Sequence, residues 1–86
     1  MAEVPENVSA DALMAYLERI PGYGFEPRID ADFAEELLED FAALDVLEEV
    51  KAFRWYHDNR PAEHVRSVRL ALRRWLTRTL ARRQEF

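Results

Sequence analysis

The sequence has no cysteine, only two glycines and four prolines, and no long hydrophobic run. Without cysteine there can be no disulfide, no cysteine-ligated zinc and no thiol nucleophile, and a reducing cytosol is the default compartment. The scarcity of glycine and proline disfavours an all-β fold, because such folds need many tight turns. No hydrophobic stretch approaches the ~20 residues that span a bilayer, so a membrane partner is not expected.

The N-terminal segment, MAEVPENVSADALM, is acidic and lacks the basic start and apolar middle of a secretion signal. We therefore expect a cytoplasmic protein. A chain of 86 residues suffices for one domain, near the small end of what folds unaided. Residues 1–8 are predicted to form a flexible arm, and residues 9–86 a single helical domain.

Hydrophobic residues recur at helical spacing in four segments joined by short links. This pattern predicts an all-α fold, a compact four-helix bundle. The predicted helices span residues 10–20, 31–43, 46–57 and 66–82. One face of the last helix carries Val65, Val68, Leu72, Trp75, Leu76 and Leu80.

Residues suited to helix capping precede the first three predicted helices. Ser9 precedes the first helix, and either Asp30 or Asp32 can cap the second. Asp45, with Glu48 three residues further on, has the pattern of a capping box at the start of the third helix.

The start of the last helix has two candidates. Pro61 suits a first helical position, because its missing N–H has no partner there in any case. Ser67 is the better cap, since its hydroxyl can accept from a backbone amide. We favour the later start.

Charge is divided sharply along the chain. Residues 1–50 hold 14 acidic and 2 basic residues, whereas residues 51–86 hold 3 acidic and 10 basic residues, nine of them arginine. In the last helix one row of arginines recurs every four residues and faces away from a second arginine flank. The row is Arg74, Arg78 and Arg82, and the flank is Arg66, Arg69 and Arg73.

Three interpretations of these arginines are open. Their stems can cover apolar surface while their heads pair with carboxylates of the second helix, which neutralises the charge internally. Alternatively, the row contacts phosphates, because the planar guanidinium suits them. In the third interpretation the two charged ends steer a protein partner, or a second copy, head to tail. The acidic first half disfavours tight nucleic-acid binding unless it faces away.

Trp55 and Tyr56 are adjacent, so one helical stripe cannot bury both. We favour an interpretation in which Trp55 covers the edge of the core. The alternative is base stacking, or a contact with a partner, beside the arginines. Trp75 is centred on its apolar face and is predicted to lie in the core.

Candidate catalytic and metal-ligating residues form no coherent site. His57, Asp58 and His64 match no ligand spacing and surround a predicted turn, so no metal is expected. The carboxylates of residues 35–40 have the pattern of a solvated face. The chain has no glycine-rich phosphate loop and no HExxH motif. We therefore predict a protein that is not an enzyme, has no cofactor and takes no small-molecule substrate.

The segments DFAALDVLEEVKAFRWYHDNRP and RLALRRWLTR together resemble a helical module. It lies near the C-termini of phage and bacterial replication-initiation proteins, the replisome-organiser and DnaT-like group. The similarity covers about residues 38–80. The matched positions are Asp45, Val46, Leu47, Glu49, Trp55, Tyr56, Pro61, Leu72, Arg73, Trp75 and Leu76.

This resemblance implies an accessory module that touches single-stranded DNA or a replication partner, with no catalytic site. The resemblance implies that Arg69, Arg73 and Arg74 make this contact.

Together these observations predict a small non-enzymatic binding module whose basic C-terminal helix contacts nucleic acid, either single- or double-stranded DNA, or an acidic partner. A protein–protein adaptor without nucleic-acid binding is the alternative, in which the acidic second helix and the Trp55–Tyr56 edge form the contact surface. The candidate contact residues are Arg66, Arg69, Arg73, Arg74, Arg78, Arg82, Trp55 and Tyr56.

Overall fold

Four α-helices account for most of the chain in the computed structural model, which describes residues 6–58 and 67–84. In chain order they are α1 (Ala10–Leu17), α2 (Pro27–Asp40), α3 (Val46–Asp58) and α4 (Val68–Gln84). The described part of the chain contains no strand. The predicted all-α, four-helix fold is therefore confirmed. None of the described helices is long and apolar enough to cross a membrane.

Helix α1 begins at the predicted residue, Ala10, and ends at Leu17, three residues before the predicted end. The Ser9 hydroxyl accepts from the Ala12 amide at 3.2 Å, so Ser9 is the cap. After Leu17 the backbone tightens, and the Ile20 amide donates to the Leu17 carbonyl at 3.1 Å. Pro21 restricts the residue before it to extended conformations, which explains why the α-helix does not reach residue 20.

The prediction for α2 is wrong at both ends. The helix begins at Pro27, four residues before the predicted start, with Glu26 in the cap position. Neither Asp30 nor Asp32 is its cap. Proline is favourable as the first helical residue, and that signal outweighs the aspartates. At the other end the helix stops at Asp40 because Phe41 leaves the helical region, with φ −118° and ψ 34°.

Helix α3 starts at the predicted position and ends one residue later, at Asp58. The Asp45 carboxylate accepts from the Glu48 amide at 3.4 Å. Asn7, from the segment predicted to be an arm, provides a second cap. Its Oδ1 accepts from the Val46 amide at 2.8 Å, and its Nδ2 donates to the Leu44 carbonyl at 2.9 Å. This side chain ties the N-terminal segment to the corner between α2 and α3.

Helix α4 begins at Val68, and the Ser67 hydroxyl accepts from the Leu70 amide at 3.3 Å. The favoured later start, after Ser67, is confirmed, but both ends lie two residues later than in the predicted range of 66–82. Pro61, the alternative start, lies outside the described residues.

The core lies between two helix pairs, α1 with α2 and α3 with α4. Its buried hydrophobic residues are Leu13, Leu17, Ile20, Tyr23, Ala34, Leu37, Phe41, Leu44, Val46, Val50, Phe53, Val68, Leu72 and Leu76. Burial of a leucine or valine side chain contributes ~1.5–3 kcal/mol. The pattern of apolar residues is therefore sufficient to fix which face of each helix turns inward.

Candidate binding surface on the last helix

Helix α4 carries its arginines on two sides. A helix turns about 100° per residue, which places Arg78 about 140° and Arg82 about 180° round from Arg73. Arg69 lies only about 40° from Arg73, in the opposite sense. We call Arg69 and Arg73 the inner arginines, and we call Arg74, Arg78 and Arg82 the outer row.

The inner arginine Arg69 binds a fully buried carboxylate at the start of α2. Its Nε donates to Asp30 Oδ1 at 2.9 Å, and its Nη2 donates to Asp30 Oδ2 at 2.6 Å. The Tyr23 hydroxyl donates to Oδ1, and the Glu26 amide donates to Oδ2 at 2.8 Å. Arg69 also donates to the Gly24 carbonyl at 2.9 Å. We call this set of residues the Asp30 cluster; it fastens α4 to α2.

The protonation states of the Asp30 cluster follow from burial and charge. Burial alone raises the pKa of the Asp30 carboxyl, but the hydrogen bonds from Arg69, Tyr23 and Glu26 outweigh it and hold the pKa below its ordinary 3.8. Burial, reinforced by the bond to Asp30, raises the pKa of Tyr23. The bond to Asp30 raises the pKa of Arg69. At neutral pH Asp30 is ionised, Arg69 is charged and Tyr23 is protonated.

We expect acid to destabilise this protein through Asp30. Its pKa is lower in the folded than in the unfolded chain, so the unfolded state binds more protons as the pH falls. The cluster's contribution is complete above the ordinary pKa and is lost as the pH drops through the folded one. Urea unfolding between neutral pH and about pH 3 should show the difference between wild type and Asp30→Asn shrinking below about pH 4. A difference that stays constant down to the lowest pH would contradict this.

The inner arginine Arg73 binds the other end of α2. Its Nη2 donates to Asp40 Oδ2 at 2.5 Å, and its guanidinium lies 5.4 Å from the centre of the Phe41 ring. Both partners are about half exposed, so this pair contributes only ~0–1 kcal/mol. For Arg69 and Arg73, therefore, the interpretation of internal neutralisation holds.

The three arginines of the outer row are all exposed. Within the described part of the chain, no carboxylate lies within ion-pair distance of Arg74, Arg78 or Arg82. The outer row therefore presents three guanidinium groups, one turn apart, to solvent. Arg66, the remaining arginine of the predicted set, lies outside the described residues.

Beside the outer row lies a pocket of about 160 Å³ between α3 and α4. We call it the aromatic pocket; its lining residues are Tyr56, Trp75, Arg78, Thr79 and Arg82. The Trp75 ring packs on Tyr56, with ring centres 5.4 Å apart and planes inclined at 51°. The Trp75 Nε1 donates to Glu49 Oε2 at 3.2 Å. Arginine and aromatic side chains thus meet at one concave site.

The favoured interpretation of the two adjacent aromatics of α3 is wrong for Trp55. Trp55 is 70% exposed, so it does not cover the core edge as predicted. Tyr56 is half-buried and packs against Trp75. The reason is the roll of α3: burying Val46, Val50 and Phe53 turns position 55 outward. Trp75, predicted to lie in the core, is itself only half-buried and packs against the core.

The candidate metal ligands do not come together among the residues that the structure describes. No group of three or more histidine or acidic side chains there could hold an ion. His57 stacks on Phe53 at 5.7 Å, with the ring planes inclined at 14°, and so closes the end of α3. His64 lies outside the described residues.

The Asp30 cluster is what sequence reasoning missed. The signal was present, because Asp30 stands four residues before Ala34, seven before Leu37 and eleven before Phe41. It therefore continues the buried stripe of α2. A carboxylate in such a position must find a charged partner, and an arginine from a later helix is the natural one.

Comparison of the chain with family models, with curated proteins and with solved structures finds no match. Function is therefore inferred from the geometry of α4 and its surroundings.

Proposed function

We propose that this protein is a small non-enzymatic binding module whose outer row contacts the phosphates of a nucleic acid. The observation that carries the proposal is the exposure of Arg74, Arg78 and Arg82, one turn apart and with no described carboxylate in reach. A replication context, which the sequence resemblance implies, belongs to the same proposal.

The spacing of the outer row supports contact with a repeating anion. Successive arginines are four residues apart, so their Cα atoms are separated by about 6 Å along the helix. A row with that repeat can neutralise several phosphates of one backbone, and each contact releases counterions. The planar fork of arginine also matches phosphate oxygens better than the point charge of lysine does.

The carboxylates of α2 do not oppose this contact directly, whereas Glu49 of α3 is the acidic residue nearest the pocket and is bonded to the Trp75 indole. The exposed carboxylates of α2 include Glu35, Glu36 and Glu39. Arg69 and Arg73 fasten α2 to one side of α4, whereas Arg78 and Arg82 lie on the other side. A polyanion can approach the outer row while these carboxylates face elsewhere, and the inner arginines neutralise Asp30 and Asp40.

The aromatic pocket is too small to enclose a drug-sized molecule. At about 160 Å³ it is smaller than the ~300–1,000 Å³ of sites that enclose a small molecule. A second depression is lined by Arg74, Thr77 and Arg78 of α4 alone, so it has no opposite wall. We propose that the module acts in the cytoplasm, in keeping with the absence of cysteine.

The test is a salt-dependent titration of labelled oligonucleotides. Wild type should bind at low salt, and affinity should fall linearly in a logarithmic plot against salt concentration. In the triple variant Arg74→Gln, Arg78→Gln, Arg82→Gln the slope should fall by about 2–3, since each phosphate contact contributes ~0.7–0.9.

The matched control removes the same charge elsewhere. Arg19→Gln, Arg28→Gln, Lys51→Gln changes three exposed cations outside α4 and alters the net charge equally. It should leave most of the slope intact. Equal losses in the two triple variants would indicate a non-specific charge effect and contradict the proposal. No binding by wild type at low salt would reject it as well.

The adaptor alternative has one observation in its favour, the 70% exposure of Trp55. Large aromatics at a surface are characteristic of the centres of protein interfaces. If oligonucleotides do not bind, we propose a protein partner that contacts Trp55 and the acidic face of α2.

A further inference from the structure

We propose that the aromatic pocket accepts one unpaired nucleobase, so that the module prefers single-stranded to duplex nucleic acid. This inference rests on the proposed function and adds to it a second contact, with the base instead of the phosphate. It follows from the shape, size and rim of the pocket.

The two aromatic residues that line the pocket, Trp75 and Tyr56, are held by contacts with their neighbours. The Phe53 ring meets Trp75 edge to face, with centres 5.9 Å apart and planes inclined at 74°. Glu49 holds the indole nitrogen, and Tyr56 abuts the indole at 51°. Two rings at such an angle leave a concave corner between them instead of a closed stack. A flat group can stack on one ring and meet the other at its edge.

The pocket's volume limits what can enter. About 160 Å³ accommodates a single planar group but not a whole dinucleotide or a drug-sized ligand. A ligand larger than one planar group would therefore continue outside the pocket, as a polymer does. A base whose backbone runs on along α4 is such a ligand.

The rim supplies the contacts that such a backbone needs. Arg78 and Arg82, one turn apart, line the pocket and also belong to the outer row. The Thr79 hydroxyl donates to the Trp75 carbonyl at 2.9 Å, so its oxygen can still accept a hydrogen bond from a base. Phosphate contacts and base contact thus converge within one turn of one helix.

Single strands are favoured because a paired base is not available. In a duplex each base is stacked and hydrogen-bonded, and extruding it costs a few kcal/mol. Stacking on an aromatic side chain is sequence-tolerant, since every base has a π face. We therefore expect a preference for single strands with little dependence on sequence.

The experiment compares a short oligothymidylate with an abasic chain that has the same number of phosphates. Wild type should bind the abasic chain about 5- to 150-fold more weakly, the range that corresponds to one base–aromatic stack. A duplex of the same length should also bind more weakly. Equal affinity for the oligothymidylate and the abasic chain would overturn the pocket assignment but leave the phosphate contact standing. If neither chain binds, the proposed function fails too.

The variant Tyr56→Leu tests the pocket itself. It should abolish the difference between the two chains while the salt dependence from the outer row persists. Tyr16→Leu is the matched control, because Tyr16 is also half-buried but lies under Arg54 on another face. Circular dichroism establishes that both variants fold. A Tyr56→Leu protein that still discriminates against the abasic chain would overturn the assignment. Displacement of the bound oligonucleotide by an acidic, aromatic peptide, at a lower concentration than unlabelled oligonucleotide requires, is a further outcome to check. That result would overturn the assignment, because the pocket would then bind a protein segment and not a base.

Discussion

Replacing Asp30 with asparagine is expected to lower the free energy of unfolding by about 3–5 kcal/mol, the usual result of breaking a buried ion pair from one side. The Asp30 side chain is fully buried, and that of Arg69 is 24% exposed. Removing the negative charge leaves a guanidinium in a largely desolvated place. All the groups that bind the Asp30 carboxylate are donors, so the NH₂ of the new asparagine would meet a donor and have no acceptor. At about 4–8 °C per kcal/mol, the change should be plain in thermal unfolding.

Two further variants distinguish the effect of an unpaired buried charge on the free energy of unfolding from the effect of losing any ion pair. Arg73→Gln breaks the exposed pair with Asp40 and should cost at most ~1 kcal/mol. The double variant Asp30→Leu, Arg69→Met replaces the buried pair by apolar side chains and should recover most of the stability lost in Asp30→Asn. Equal costs for Asp30→Asn and Arg73→Gln would show that the Asp30 cluster is not the main link between α2 and α4.

The helices and most of their starts could be predicted because the relevant signals are local. Ser9, Asp45 and Ser67 each lie immediately before a helix, and each accepts from an amide three residues on. The start of α2 was mispredicted since two local signals competed. Pro27 could begin the helix, whereas Asp30 could cap a later one, and nothing nearby in the sequence shows that Asp30 pairs with Arg69.

The division of the arginines could not be predicted, because it depends on which helix lies beside each flank of α4. Arg73 and Arg74 are adjacent in sequence and chemically identical. Arg73 faces Asp40 of α2, whereas Arg74 faces solvent. Their roles differ through packing alone. The sequence allowed either internal neutralisation of the arginines or an exposed cationic row. The structure has both on one helix, because Arg73 pairs with Asp40 whereas Arg74 is exposed.

The buried pair and the outer row are coupled through the roll of α4. The Asp30 cluster fixes the side of the helix that meets α2. The aromatic pocket and the outer row then face away from α2. A change that released Arg69 from Asp30 would remove this link, while the buried Leu72 and Leu76 would still hold the same face of α4 inward. The stability and binding measurements therefore report on the same orientation.

Leu72→Ala and Leu70→Ala test that orientation with the same substitution at two positions of one helix. Leu72 is fully buried, so its loss should cost about 2–5 kcal/mol through lost apolar burial and the cavity that remains. Leu70 is 51% exposed, and its replacement should change the free energy of unfolding by no more than about 0.5 kcal/mol. Both variants introduce alanine into α4, so helix propensity cannot explain a difference between them. Urea unfolding of the two proteins gives both values directly. If Leu70→Ala were the more damaging change, α4 would be rolled the other way, and the outer row could not be the surface that meets phosphates.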